Sequence, residues 1–114
     1  MRVAIIGSRK IEHPKKILKL ILSNIPRGCS EIVSGGAIGI DSLAAAAAKQ
    51  LGIHLVEFLP DYEKFGRGAS LKRNLQIIEY SDTVLAFWDG VSRGTKYVID
   101  NCNKSGVSLQ IILF

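Results

Sequence analysis

Short, nearly unbroken apolar runs alternate along this chain with longer stretches in which apolar residues recur every three or four positions. The runs are Arg2–Ile6, Cys29–Val33, Ile53–Leu59, Thr83–Phe87 and Val107–Phe114. Each has strand length, and Arg2–Ile6 reads as a short buried strand. Between the first two, Pro14 opens a helix at the position where its missing N–H costs nothing. Ile17, Leu18, Ile21, Leu22 and Ile25 then share one face, with Lys15, Lys16 and Lys19 outside it. Pro26-Arg27-Gly28 ends that helix. The second helix turns Ile40, Leu43, Ala44, Ala47 and Leu51 inward and stops at Gly52. After a loop from Pro60 to Gly68, the spacing predicts a third helix over Ala69–Tyr80 with Leu71, Leu75 and Ile78 inward. A fourth spans Gly94–Lys104 and is broken by Gly106.

Strand and helix in strict alternation imply parallel strands joined by right-handed crossovers. The expected architecture is α/β: one Rossmann-like domain over residues 1–114, with a five-stranded parallel sheet and helices on both faces. In such sheets ligands bind beyond the carboxyl ends of the strands, near the switch in strand order. The loops expected there are Gly7–Glu12, Ser34–Ile38, Pro60–Gly68 and Trp88–Arg93. They and the helix starts behind them carry Arg9, Lys10, Lys64, Arg67, Lys72, Arg73, Arg93 and Lys96, so the cations gather at the expected ligand edge.

Composition bounds this picture. With 114 residues, 47% of them hydrophobic, the chain holds one domain with a real core. No apolar run reaches membrane-span length, and Met1–Gly7 lacks the features of an export signal, so a cytoplasmic location is expected. Cys29 and Cys102 lie in apolar patterns and are read as buried thiols. They form no metal-ligand spacing with His13 and His54, so no metal site is expected, and no cofactor is implied. A net charge of +5 favours anionic partners.

Three loops carry candidate chemistry. Gly7-Ser8-Arg9 follows the first strand: glycine allows a tight turn, Ser8 offers a hydroxyl, and Arg9 either clamps an oxyanion or lies in solvent. Ser34-Gly35-Gly36-Ala37, with Gly39 and Asp41, joins the second strand to the second helix. Small residues there let backbone N–H groups approach a phosphate beside a helix N-terminus. Asp41 is read as satisfying the first helical turn. Ser92-Arg93-Gly94-Thr95 repeats the arrangement before the fourth helix, where Ser92 or Thr95 alternatively serves as the N-cap. In Trp88-Asp89, the indole either stacks on a base or packs locally, and Asp89 either binds a ribose hydroxyl or makes a turn with Gly90. Arg73 and Asn74 fall out of phase with Leu71, Leu75 and Ile78 and read as a solvated face.

Together these stretches resemble the SLOG superfamily, most closely its YspA/YpsA-related branch. The matching residues are Ile6–Arg9, Val33–Ala37 with Gly39 and Asp41, Phe65-Gly66 through Ala69, Arg73-Asn74, Ala86–Gly90 and Ser92–Thr95. The resemblance implies a domain that senses, sequesters or processes nucleotide-derived ligands, in bacterial defence, phage or mobile-element contexts, and it adds Arg73 and Asn74 to the site. The related Lonely Guy phosphoribohydrolases carry a glutamate three positions after the Gly-Thr pair. Val98 stands there, Asp100 lies elsewhere on the helix, and Tyr62 replaces a tryptophan usual in the branch. The DNA-processing protein A family, which binds single-stranded DNA, shares the Ser-Gly-Gly-Ala and Gly-Ile-Asp stretches, with a likeness that fades beyond the second helix.

The expected ligand is therefore a phosphate-bearing, nucleotide-type small molecule. Gly7, Ser8, Arg9, Ser34, Gly35, Gly36, Ala37, Asp41, Arg73, Asn74, Trp88, Asp89, Ser92, Arg93, Gly94 and Thr95 are expected to hold it. A nucleotide N-glycosidase using Asp89 ranks second, and single-stranded DNA binding third. A homodimer through the Ala44–Ala48 face is expected.

Overall fold

The computed structural model describes residues 1–114. Its strands are β1 (Arg2–Gly7), β2 (Glu31–Ser34), β3 (His54–Glu57), β4 (Thr83–Trp88) and β5 (Ser108–Leu113). The helices are α1 (Pro14–Asn24), α2 (Ile40–Leu51), α3 (Tyr62–Phe65), α4 (Ala69–Tyr80) and α5 (Arg93–Ser105). The five strands form one parallel sheet in the order β3-β2-β1-β4-β5. The chain begins at the centre, works outward to β3, then crosses back to β4 and β5. The switch therefore lies between β1 and β4, where Gly7 is level with Phe87. Connections leave these two carboxyl ends in opposite directions and open a crevice between them.

Alternation within each strand divides the core into two layers. Val3, Ile5, Ile32, Leu85 and Phe87 face α1 and α2, where Ile17, Ile21, Ile40, Ala44, Ala47 and Ala48 meet them. Ala4, Ile6, Val33, Val84 and Ala86 face α4 and α5, against Ile77, Ile78, Val98, Ile99 and Cys102. The predicted α/β domain with helices on both faces is thus the observed architecture. No helix is long and apolar enough to cross a membrane.

Three local expectations are corrected. The stretch Pro60–Gly68 is not bare loop: Asp61 accepts a hydrogen bond from the Lys64 N–H at 3.1 Å and caps α3, and a 3-10 turn, Gly66–Gly68, leads into α4. The inward face of α4 is Ala69, Arg73, Ile77 and Ile78, while Leu71 and Leu75 are exposed. Hydrophobicity alone favours the leucine face, but small Ala69 fits against the sheet and Arg73 finds carbonyl partners when buried, so the helix turns the other way. Third, Leu51, expected on the inward face of α2, is exposed, while Ala44, Ala47 and Ala48 pack inside the domain and Ala46 stays at the surface. Of the two thiols, Cys102 is buried as expected, whereas Cys29 is half-buried and donates to the Glu31 carbonyl at 3.4 Å.

Candidate functional site

A cavity of about 390 Å³ opens at the carboxyl ends of β1 and β4. From the first loop it is lined by Gly7, Ser8 and Arg9, and from the second by Gly35, Ala37 and Asp41. Helix α4 adds Arg73 and Asn74; the fourth loop and the start of α5 add Asp89, Ser92, Gly94 and Thr95. Ser34, Gly36, Trp88 and Arg93 lie outside this lining. Sequence reasoning missed Lys10 and Ser70 as lining residues. Lys10 follows directly on Gly7-Ser8-Arg9, and Ser70 precedes Arg73 and Asn74 by three and four positions, so helical spacing puts all three on one side of α4.

Arg73 organises one wall. Its side chain is buried, contrary to the solvated face expected from the pattern. Nη1 donates to the Gly35 carbonyl at 2.5 Å and to the Phe58 carbonyl at 3.4 Å, and Nε donates to Asn74 Oδ1 at 2.9 Å. A Cβ on residue 35 would meet Nη1 at 2.5 Å, so a side chain there would push the guanidinium from its place. Burial pulls the Arg73 pKa below its usual value, and the neighbouring Asp41 charge opposes this. Asp41 is itself buried beside Gly35, and burial raises its carboxyl above the ordinary range. The Ala37 N–H, at 3.1 Å from Oδ2, and the Arg73 charge work against that rise.

The two expected phosphate loops differ in what they leave free. At α2, the Ile40 N–H donates to the Ser8 carbonyl at 3.1 Å, the Ala37 N–H to Asp41 and the Gly36 N–H to Ser34 Oγ at 3.4 Å. Gly39, at a φ of 78°, lets this loop press against the Ser8 and Arg9 backbone. Three donors of this loop are thus engaged within the chain, whereas the Asp41 and Ser42 N–H groups at the start of α2 have no acceptor.

At α5 the Arg93 and Gly94 N–H groups have no acceptor. Ser92 caps the helix through Oγ, 3.4 Å from the Thr95 N–H, and a Cβ on Gly94 would face open space. On the same lining, Ser8 Oγ is buried with no well-formed hydrogen bond, and it lies near enough to the Asp89 carboxylate to help hold that group's pKa down. A buried hydroxyl without a well-formed bond and a free N–H at a helix N-terminus, on one cavity, are donors that an oxyanion can use.

Trp88 is held locally: its Nε1–H donates to the Ser92 carbonyl at 3.1 Å, and its ring packs against the core layer under α5. Asp89 accepts from the Val91 and Ser92 N–H groups at 2.9 and 2.8 Å, which hold its carboxyl below the ordinary range. It is an ionised turn carboxylate at the cavity mouth, with Arg9 and Lys10 also on the lining.

Residues 1–104 match the family described as DNA recombination-mediator protein A. Two solved structures share the fold. DNA processing protein A from Streptococcus pneumoniae superposes with a TM-score of 0.79 at 18% identity, over 96% of this chain and 49% of that one. DNA processing protein A from Helicobacter pylori, solved in a study of its single-stranded DNA binding mode, gives 0.75 at 22% identity, over 97% of this chain and 64% of that one. The chain thus spans about half to two thirds of the length of these relatives. No curated protein matches the sequence.

These findings correct the resemblance to the YspA/YpsA-related branch of SLOG. With it fall nucleotide sensing or sequestration, the phosphoribohydrolase alternative, and the ranking of a small molecule ahead of nucleic acid. The likeness to the DNA-processing proteins does not fade after α2 but runs into α5. The error has a physical source. A free nucleotide and a DNA strand present the same phosphate oxygens, so Gly7-Ser8-Arg9 and Ser92–Thr95 suit both and cannot separate them.

Proposed function

The chain belongs to the DNA recombination-mediator protein A family, and from that premise we propose that its residues 1–114 act as one single-stranded DNA-binding domain. The match over residues 1–104 carries this reading, and the cavity at the β1–β4 switch supplies its chemistry. A backbone phosphate sits at the start of α5, accepts from the Gly94 N–H, and takes the Ser8 hydroxyl as a further donor. Arg9 and Lys10 neutralise it. Arg73 shapes the site by fixing Gly35 and does not itself need to touch DNA. Asp41 and Asp89 line the same cavity and limit how much negative charge it can hold. The contacts are to backbone phosphate and carry no sequence information, which suits a strand bound without sequence preference. A DNA ligand also agrees with the cytoplasmic location expected from the sequence.

The test is salt dependence. Wild-type protein should bind an oligothymidylate with an affinity that falls linearly on a log–log plot against salt. Each phosphate contact on a single strand contributes a slope of roughly 0.7. Arg9→Ala should weaken binding and flatten the slope by about that amount. A wild-type protein that fails to bind single-stranded DNA at low salt, or an Arg9→Ala protein with an unchanged slope, overturns the reading.

A further inference from the structure

A second, larger concavity of about 1400 Å³ runs from the cavity mouth along α1. Arg9, Lys10 and Asp89 line both spaces, so the two adjoin. The larger one is built differently. Its floor is apolar, formed by Ile17, Leu20 and Leu43, with Phe114 at the far wall. Its rim is cationic: Lys16 and Lys19, both exposed and three positions apart on α1, continue the charge of Arg9 and Lys10. Glu12 and Asp89 are its carboxylates, so four cations stand against two acids. No hydrogen bond or ion pair within the chain engages Lys16 or Lys19; the salt bridges are Arg2–Glu31 and Lys96–Asp100.

We infer that this groove is a second DNA subsite, which carries the nucleotides next to the one whose phosphate occupies the α5 end. An apolar floor beneath a row of lysines matches a single strand's own division, with base faces on one side and phosphates on the other. A protein segment would find only the apolar half of that match, and its acidic side chains would be needed to use the rest. The groove sets how many nucleotides the domain covers: the cavity takes about one phosphate, and the groove adds a short run beyond it. The inference rests on the DNA-binding reading given above.

Fluorescein-labelled oligothymidylates of about 4 and about 12 nucleotides separate the two ideas, a span typical of small single-strand sites. Wild-type protein should bind the longer probe more tightly. The double variant Lys16→Glu/Lys19→Glu should bind the short probe as wild type does but lose most of the gain with length, on the order of tenfold. Lys15→Glu makes the same type of charge change on α1 outside the groove lining and should keep that gain. If the double variant retains the wild-type gain, or Lys15→Glu loses it equally, the groove is not a subsite although DNA binding stands. If wild-type protein binds neither probe, the DNA-binding reading fails and the subsite fails with it.

Discussion

Asp41 and Arg73 bring opposite charges into the interior at the rim of the site, and both depend on what surrounds them. Arg73 is tolerated because its hydrogen bonds end on the Gly35 and Phe58 carbonyls and on Asn74. Asp41 has one backbone N–H and the guanidinium charge, which do not fully offset burial, so its folded pKa is raised. The sign of the consequence follows from linkage. In strong acid both folded and unfolded Asp41 are protonated, and burial of its charge costs nothing. As pH rises through the unfolded value, the unfolded chain ionises first. The protein then loses stability until pH has passed the raised folded value. Asp41→Asn keeps an acceptor for Ala37 and has no such loss. Its stability relative to wild type should therefore increase from acid to neutral pH and then level off, as read by urea unfolding at a series of pH values. A constant difference across that range contradicts a raised Asp41.

Helix α4 is where pattern and structure part at the scale of elements. The boundaries Ala69–Tyr80 are those the spacing predicts, but the buried face is not. Hydrophobic periodicity weighs Leu71, Leu75 and Ile78 above a face that contains an arginine. It has no way to register that the carbonyls of Gly35 and Phe58, 38 and 15 residues away in sequence, stand ready for that arginine. The difference is measurable by substitution. Ile77→Ala should cost about 2–5 kcal/mol, the usual range for truncation in a packed core. Leu75→Glu, at an exposed position, should stay within about 0.5 kcal/mol of wild type. Equal costs would restore the leucine face.

The other elements were legible because each carried its own signal. Pro14 opens α1, Gly52 and Gly106 close α2 and α5 in left-handed conformations, and Val3–Ile6 alternates between two layers that both demand apolar side chains. Helix α3 was hidden because four residues are too few for a periodic pattern, although Asp61 is a recognisable cap.

Across the whole molecule, the site draws on three loops that meet only when the sheet is assembled, because β1, β2 and β4 lie side by side but far apart in sequence. The unfolded chain therefore has no such site, and a ligand that occupies it stabilises the fold. An oligothymidylate at a hundred times its Kd should add about 2.7 kcal/mol, equivalent for a domain of this size to a rise in Tm of roughly 10 °C. A Tm unmoved at that concentration contradicts binding at a site made by folding. Of this site, the loop residues were readable from glycine, serine and arginine placement, whereas Arg73 and Asn74 read as a solvated face and entered only through the SLOG resemblance. The choice of ligand was not: it depends on how far an anion extends beyond its first phosphate, and the groove along α1 that bears on this is assembled from Lys16, Lys19, Leu43 and Phe114, which share no local motif.

The contact between Gly35 and Arg73 also bears on how such a chain can drift through evolution. The two residues claim the same few ångströms, because a methyl group at 35 collides with the guanidinium of 73. A side chain at 35 must displace the guanidinium of Arg73, whereas residue 73 can shrink without a clash. A shorter side chain at 73 relaxes the demand for glycine at 35, but it leaves the Gly35 carbonyl without its strongest donor. Residues 35 and 73 are thus coupled, and the cost of replacing Gly35 should shrink when residue 73 is small.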